Sequence, residues 1–259
     1  MTPPFLAVDI GNARMKIGAI DAMVGNGLPE PTRTLALDGE SPQFDGLTLW
    51  LDALEDRKLS WFLASVNRPG ATGLIDWLRE HRPEDNITLL SAGDLPLTVR
   101  LERPDMVGID RLVDAVAVNH LRKPNRPAVI VDVGTAITVD LVSADGVFLG
   151  GSILPGLAIS ARALNEFTDL LPLVDIAEFS DPPPALGTST EGAMRSGLFW
   201  GTVGAIRQLI EQLGRDAGTC PQVFLTGGAG ATVAELLGPD AQYVPHLTLA
   251  GIAISMASS

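Results

Sequence analysis

Two segments of the chain repeat one chemistry-bearing pattern. Leu6-Ala7-Val8-Asp9-Ile10-Gly11-Asn12-Ala13 aligns without a gap on Val129-Ile130-Val131-Asp132-Val133-Gly134-Thr135-Ala136, sharing Val, Asp, Gly and Ala at matching positions. Each is an apolar run ending in Asp-x-Gly. A carboxylate at a strand end can hold a cation or its waters, and the glycine lets a phosphate approach the backbone amides closely. One such turn alone is equally an ordinary hairpin with an Asp cap. Two copies, 123 residues apart in a chain of 259, favour a pair of phosphate-binding turns. Asn12, Arg14 and Lys16 add donors to the first, and the alternation of Arg14 and Lys16 along a strand directs both to one face.

The sequence Gly108-Ile109-Asp110-Arg111 is the best candidate for catalysis. A carboxylate beside a guanidinium at a helix start can accept a proton from a substrate hydroxyl while the arginine binds an anionic group. The alternative is an acidic residue that only complements the helix dipole. Further glycine clusters follow at Gly150-Gly151, Pro155-Gly156, Gly187-Thr188-Ser189-Thr190 and Gly227-Gly228-Ala229-Gly230. The last lies between a strand and a helix, where backbone amides and a positive helix end can face an anion, or where the chain simply turns. Thr188, Ser189 and Thr190 also read as a helix N-cap, with Glu191 in the first turn. His81, His120 and His246 are scattered, so the sequence holds neither a Ser/His/Asp grouping nor zinc spacing, and the G-x-x-x-x-G-K-[ST] loop is absent.

These residues need strands and helices to position them. The first copy opens a hairpin, with strands expected over 34–37, 61–66 and 87–90 and helices over 46–57 and 70–82. Ile109, Leu112, Val113, Val116 and Leu121 place a helix over 108–121. The second copy opens another hairpin at Val129, followed by a short strand over 147–149, a glycine-rich turn, a helix from Gly156, a long helix over 190–213, a strand over 222–226 and a helix over 231–237. Lys123-Pro124-Asn125-Arg126-Pro127 is the expected linker, and Ser180-Asp181-Pro182-Pro183-Pro184 a polyproline-like connector. The expectation is an α/β protein of two similar lobes, 1–122 and 123–259, with a cleft between them.

Composition narrows the function. Apolar residues form 46% of the chain against 19% charged, enough for a sizeable core. Eighteen basic against thirty-one acidic side chains give a net charge of −13, which disfavours nucleic acid and anionic membrane surfaces as partners. The single cysteine, Cys220, excludes an intramolecular disulfide and a cysteine zinc cluster and suits a reducing cytoplasm. Residues 1–7 lack the basic and apolar regions of a secretory signal, and no apolar run reaches the ~18 residues of a spanning helix, so a soluble protein is expected.

Taken in order, these motifs together with Ile153-Leu154-Pro155-Gly156 and Leu171-Pro172 resemble the type III pantothenate kinases, of the acetate kinase, sugar kinase, Hsp70 and actin superfamily. The resemblance implies an actin-like, ribonuclease H-like fold and ATP-dependent phosphorylation of pantothenate, the first step towards coenzyme A, by a cytoplasmic homodimer needing K⁺ or NH₄⁺. It implies that Asp9, Ile10, Gly11, Asn12, Ala13, Arg14, Met15 and Lys16 form the ATP phosphate loop, with Thr135 a second contact and Mg²⁺ travelling with ATP. Asp132 corresponds to the monovalent-cation ligand, Asp110 to the proton acceptor, and Gly108, Ile109, Asp110 and Arg111 with Thr190 to the pantothenate site. Two positions depart from the family pattern: Ala13 replaces a Thr or Ser, and Leu101 a Tyr. They motivate a non-catalytic nucleotide-binding homologue as a second reading, and another small-molecule kinase of the superfamily is a third. The helix over 190–213 carries Leu198, Phe199, Val203, Ile206, Leu209 and Ile210, more apolar surface than one lobe is expected to cover; it is either a dimer face or a core helix.

Overall fold

The computed structural model describes residues 5–21, 27–54, 58–175 and 181–257. They fall into two compact units, Met1–Leu121 with His246–Ser259, and Arg122–Pro245. Each is built on one five-stranded mixed sheet.

In the first unit, β1 (Phe5–Ile10), β2 (Arg14–Ile20) and β3 (Arg33–Asp38) form an antiparallel meander, and β4 (Ser60–Ser65) and β5 (Asn86–Leu89) add on parallel to β1, in the order β3-β2-β1-β4-β5. Alternation sets the faces. Val8, Ile10, Met15 and Ile17 enter a core shared with Trp61 and Leu63, whereas Asp9, Arg14 and Lys16 keep some exposure. Helices α1 (Asp45–Asp52) and α2 (Arg68–His81) supply Leu47, Trp50, Leu74 and Leu78 to that core. The expected helix over 46–57 ends early, and its residues 55–57 lie outside the described residues. Helix α3 (Ile109–Leu121) completes the contiguous half.

The second unit repeats the plan. β6 (Ala128–Val133), β7 (Ala136–Val142) and β8 (Phe148–Pro155) are antiparallel, and β9 (Gln222–Thr226) and β10 (Ala241–Tyr243) run parallel to β6, in the order β10-β9-β6-β7-β8. Helices α4 (Leu157–Glu166), α5 (Thr190–Asp216) and α6 (Gly230–Leu237) belong to this unit. The internal repeat is thus structural, strand for strand.

Three expectations change. Gly150-Gly151 is not a turn but the middle of β8: a Cβ at Gly151 would collide with the Val139 carbonyl and with Asp140, so glycine lets the two strands run together. The apolar face of α5 is mostly internal, since Phe199, Val203 and Ile206 are buried and Leu198, Leu209 and Ile210 pack against the same core. The last segment, expected in the second lobe, groups with the first unit as α7 (Leu247–Ala257). Gly251 makes that packing possible, because a side chain there would strike the backbone of Val113 on α3. Ser180 of the proline connector lies outside the described residues.

Candidate active site

The two Asp-x-Gly turns close alike. Gly11 N–H donates to the Arg14 carbonyl at 3.0 Å, and Gly134 N–H donates to the Ala136 carbonyl at 3.1 Å. In the first hairpin Ile10 pairs with Met15, while in the second Val133 pairs with Ile137, so the second turn is one residue shorter. The gapless alignment therefore holds through the glycines, after which Ala136 occupies the place of Arg14 rather than Ala13. Asp9 pairs across the ladder with Lys16, and Asp132 with Thr138. Of the eight residues assigned to the first loop, Asn12, Ala13 and Arg14 are exposed and Asp9, Gly11 and Lys16 half-buried. Ile10 and Met15 are core residues, so only their backbone can serve a ligand.

A glycine on a neighbouring segment clasps each turn. Gly39 N–H donates to the Ala13 carbonyl at 3.0 Å, and Gly156 N–H donates to the Thr135 carbonyl at 3.1 Å. Both need the bare backbone: a Cβ at Gly39 would sit 2.5 Å from the Asn12 carbonyl oxygen, and one at Gly156 would collide with the carbonyls of Gly134 and Thr135. Thr135 itself is exposed.

Asp110 stands in the first turn of α3 with its Oδ1 accepting the Arg111 N–H at 2.9 Å. The carboxyl folds back over Gly108, where any side chain would collide with it. Burial pushes the Asp110 carboxyl above the usual carboxylate range, against the opposing pull of the Arg111 N–H and of its guanidinium charge. The Gly108 position also lies against Val66, 3.5 Å from Cγ1 to where a Cβ would stand, and Val66 N–H donates to the Ile10 carbonyl at 3.1 Å. Gly108 thus lies by the C-terminal ends of the parallel strands β1 and β4, the ends where open α/β sheets bind ligands, and the first turn leaves from the same end of β1.

In the second unit the structure groups Asp132, Thr135, Gly156 and Gly227. Gly227 has φ +90, and a Cβ there would collide with Asp132 Oδ1 and the Val133 carbonyl. A carboxylate oxygen and a carbonyl oxygen therefore converge on bare backbone; such oxygens fit K⁺, NH₄⁺ or Mg²⁺ and not a thiophilic ion. Among the described residues no group of three His, Cys, Asp or Glu could hold a metal ion. Thr190 stands at the exposed start of α5, where Ser189 is the N-cap and accepts the Gly192 N–H at 3.0 Å. Among the described residues no hydrogen bond joins Thr190 to the Asp132 group.

Asn67 belongs to none of the motifs above, yet it joins the first turn to its neighbours. It caps α2 through Oδ1, which accepts the Gly70 N–H at 3.0 Å, and its Nδ2 donates to the carbonyls of Gly39 at 3.0 Å and Gly11 at 3.3 Å. The signal was present, because Asn followed by Arg68-Pro69 is a capping residue with proline in the first helical turn.

Two similar mixed sheets, each opening with an Asp-x-Gly hairpin, define the sugar kinase and actin-like fold. Solved structures agree: a glucokinase from an Antarctic psychrotroph is 12% identical with a TM-score of 0.50, covering 99% of both chains. A candidate 2-dehydro-3-deoxygalactonokinase from Sinorhizobium meliloti is 16% identical with a TM-score of 0.52, covering 98% of both. The family model of type III pantothenate kinase matches residues 5–212, and the chain belongs to that family. A type III pantothenate kinase of Paramagnetospirillum magneticum is 34% identical over 255 residues, 95% of this chain and 94% of that protein. Another from Dehalococcoides mccartyi is 30% identical over 256 residues, 98% and 97% of the two chains.

Proposed function

We propose that this chain transfers the γ-phosphoryl group of ATP to the primary hydroxyl of pantothenate, giving ADP and 4′-phosphopantothenate on the route to coenzyme A. The observation that carries the reading is Asp110. Its carboxyl is half-buried at a helix start and folds over Gly108, which lies against Val66 by the end of β1 that leads into the first phosphate turn. Phosphoryl transfer is chiefly positioning and charge stabilisation, so amides and an orienting carboxylate are the parts required. The Asp9–Lys16 turn, with Thr135, receives the phosphates. As the hydroxyl oxygen bonds to phosphorus and the bond to the ADP oxygen breaks, Asp110 takes the hydroxyl proton. It cannot remove that proton beforehand, since an alcohol is far too weak an acid for a carboxylate. Arg111 and Thr190, with Gly108 and Ile109, hold pantothenate.

Asp132 would hold the monovalent cation and Asp9 would help hold Mg²⁺ through water; these ions supply positive charge against the phosphates. A homodimer is part of the reading. Ile153, Phe167, Leu170, Leu173 and Leu186, large apolar side chains that are 62 to 86% exposed, are the candidates for its interface. A cytoplasmic location accords with the single cysteine, and among the described residues no helix is long and apolar enough to cross a membrane. The test is ADP release from ATP with pantothenate present and absent. Pantothenate-dependent release supports the reading; nucleotide binding without turnover favours the non-catalytic alternative motivated by Ala13 and Leu101.

A further inference from the structure

Hydrogen bonding around the first turn sorts its polar groups by sign. A phosphate is attracted by amides and repelled by carbonyl oxygens, so an anion-binding turn must face its carbonyls away from the ligand. Two carbonyls here are tied down. That of Ala13 accepts from Gly39 N–H at 3.0 Å, and that of Gly11 accepts from Asn67 Nδ2 at 3.3 Å. The Gly11 carbonyl and the Asn12 N–H belong to one trans peptide and point in opposite directions. Holding the carbonyl against Asn67 therefore aims the Asn12 amide the other way. Among the described residues that amide donates to no protein acceptor.

The Asn67 side chain is committed at every position. Nδ2 spans the Gly11 and Gly39 carbonyls and Oδ1 takes the Gly70 N–H, the only amide orientation that matches donors to acceptors. Its own backbone is fixed by Ser65, whose Oγ accepts the Asn67 N–H at 3.1 Å and donates to the Asn67 carbonyl at 2.9 Å. The Gly39 segment is equally constrained, because Asp38 Oδ1 accepts the N–H groups of Glu40 at 2.9 Å and Ser41 at 2.8 Å. One side chain thereby couples the end of β4, the start of α2, the loop after β3 and the turn after β1.

We propose that Asn67 is a positioning residue for ATP, fixing the first turn so that the Asn12 amide faces the phosphates. The proposal rests on the kinase reading above. It separates two functions of one residue, capping α2 and orienting the turn, and these can be separated by substitution. Asn67→Ser retains a good N-cap acceptor but is too short to span both carbonyls. Asn67→Asp retains the cap and the shape but presents oxygens to two carbonyls.

The experiment measures the KM of ATP and of pantothenate, calorimetric ATP binding and the melting temperature for the wild type and both variants. In Asn67→Ser the KM and Kd of ATP should rise about tenfold, the scale of one or two lost neutral hydrogen bonds. The KM of pantothenate should stay unchanged; Asn67→Asp should raise the ATP values further. Loss of folded protein would instead lower apparent kcat and leave both KM values alone. ATP values equal to wild type in a folded Asn67→Ser, or both KM values rising by one factor, would overturn the positioning role. A wild-type chain that fails to bind ATP would overturn the kinase reading itself, and an ATP-binding chain without turnover still tests Asn67 through the calorimetric Kd.

Discussion

Replacing Asp110 by Asn separates chemistry from stability, because the structure gives the two effects different signs. The amide keeps the size and an oxygen for the Arg111 N–H, now accepted at 2.9 Å, but it cannot take a proton from the acceptor. Loss of a general base typically lowers rate ~10² to 10⁴-fold, about 2.7 to 5.4 kcal/mol of transition-state stabilisation. Turnover should fall by that factor with the Kd of ATP unchanged. Stability should not fall. Burial raises the Asp110 pKa in the folded chain, so between the ordinary carboxylate value near ~4 and the raised one the folded state binds more protons than the unfolded. The ionised carboxyl therefore costs stability that grows as pH rises through that window and stays constant above it. Asn removes this cost, and the melting temperature at neutral pH should equal or exceed wild type, the difference vanishing towards pH ~4. The same shift should place the acid limb of wild-type kcat/KM for pantothenate above the ordinary carboxylate range. Steady-state ADP release and thermal melts across pH, on both proteins, measure all of this. A folded Asp110→Asn with near wild-type turnover would refute the proton-acceptor role, and a melting temperature lowered only at neutral pH would refute the sign of the burial effect.

Other expectations follow from the second unit. Activity at fixed ionic strength should be higher in K⁺ or NH₄⁺ than in Na⁺, and Asp132→Asn should flatten that response; equal rates in all three salts would leave Asp132 a turn residue. Gly156→Ala forces a Cβ onto the Gly134 and Thr135 carbonyls and should destabilise by about 1–3 kcal/mol while raising the KM of ATP, as melts and kinetics would show; an unchanged melting temperature would contradict the clasp. Light scattering at micromolar concentration should give twice the chain mass, and Leu170→Asp, at a residue 86% exposed, should shift it towards the monomer without unfolding; a monomeric wild type would contradict the dimer.

Much of this architecture was legible because its signals are local. Alternation in Val8-Asp9-Ile10 and Met15-Lys16-Ile17 marks half-buried strands, and the repeat at Asp132 exposed the two-unit plan before any strand order was known. Helix α7 left no such trace. Leu247 to Met256 are buried on every side, so the segment has no polar stripe to give a helical period, and its return to the first unit depends on Gly251 meeting Val113 across the sequence. Gly150-Gly151 misled because a strand that needs close approach to its neighbour and a turn both call for glycine. Among the candidate functional residues, Asp9, Asp110 and Asp132 stand out by type and spacing, whereas Gly39 and Asn67 do not. Their roles are contacts made with Ala13 and Gly11 from distant parts of the chain, and only tertiary structure brings them to the turn.

The identity of the phosphorylated product tests the proposed reaction most directly. The purified protein would be given ATP, Mg²⁺ and K⁺ with an equimolar mixture of pantothenate, glucose and acetate, and the products read by mass spectrometry beside the ADP formed. The expected result is 4′-phosphopantothenate alone, in step with ADP. Phosphate on glucose or acetate with pantothenate untouched, or ATP bound without transfer to any acceptor, would contradict the assignment of Asp110 and its neighbours to pantothenate.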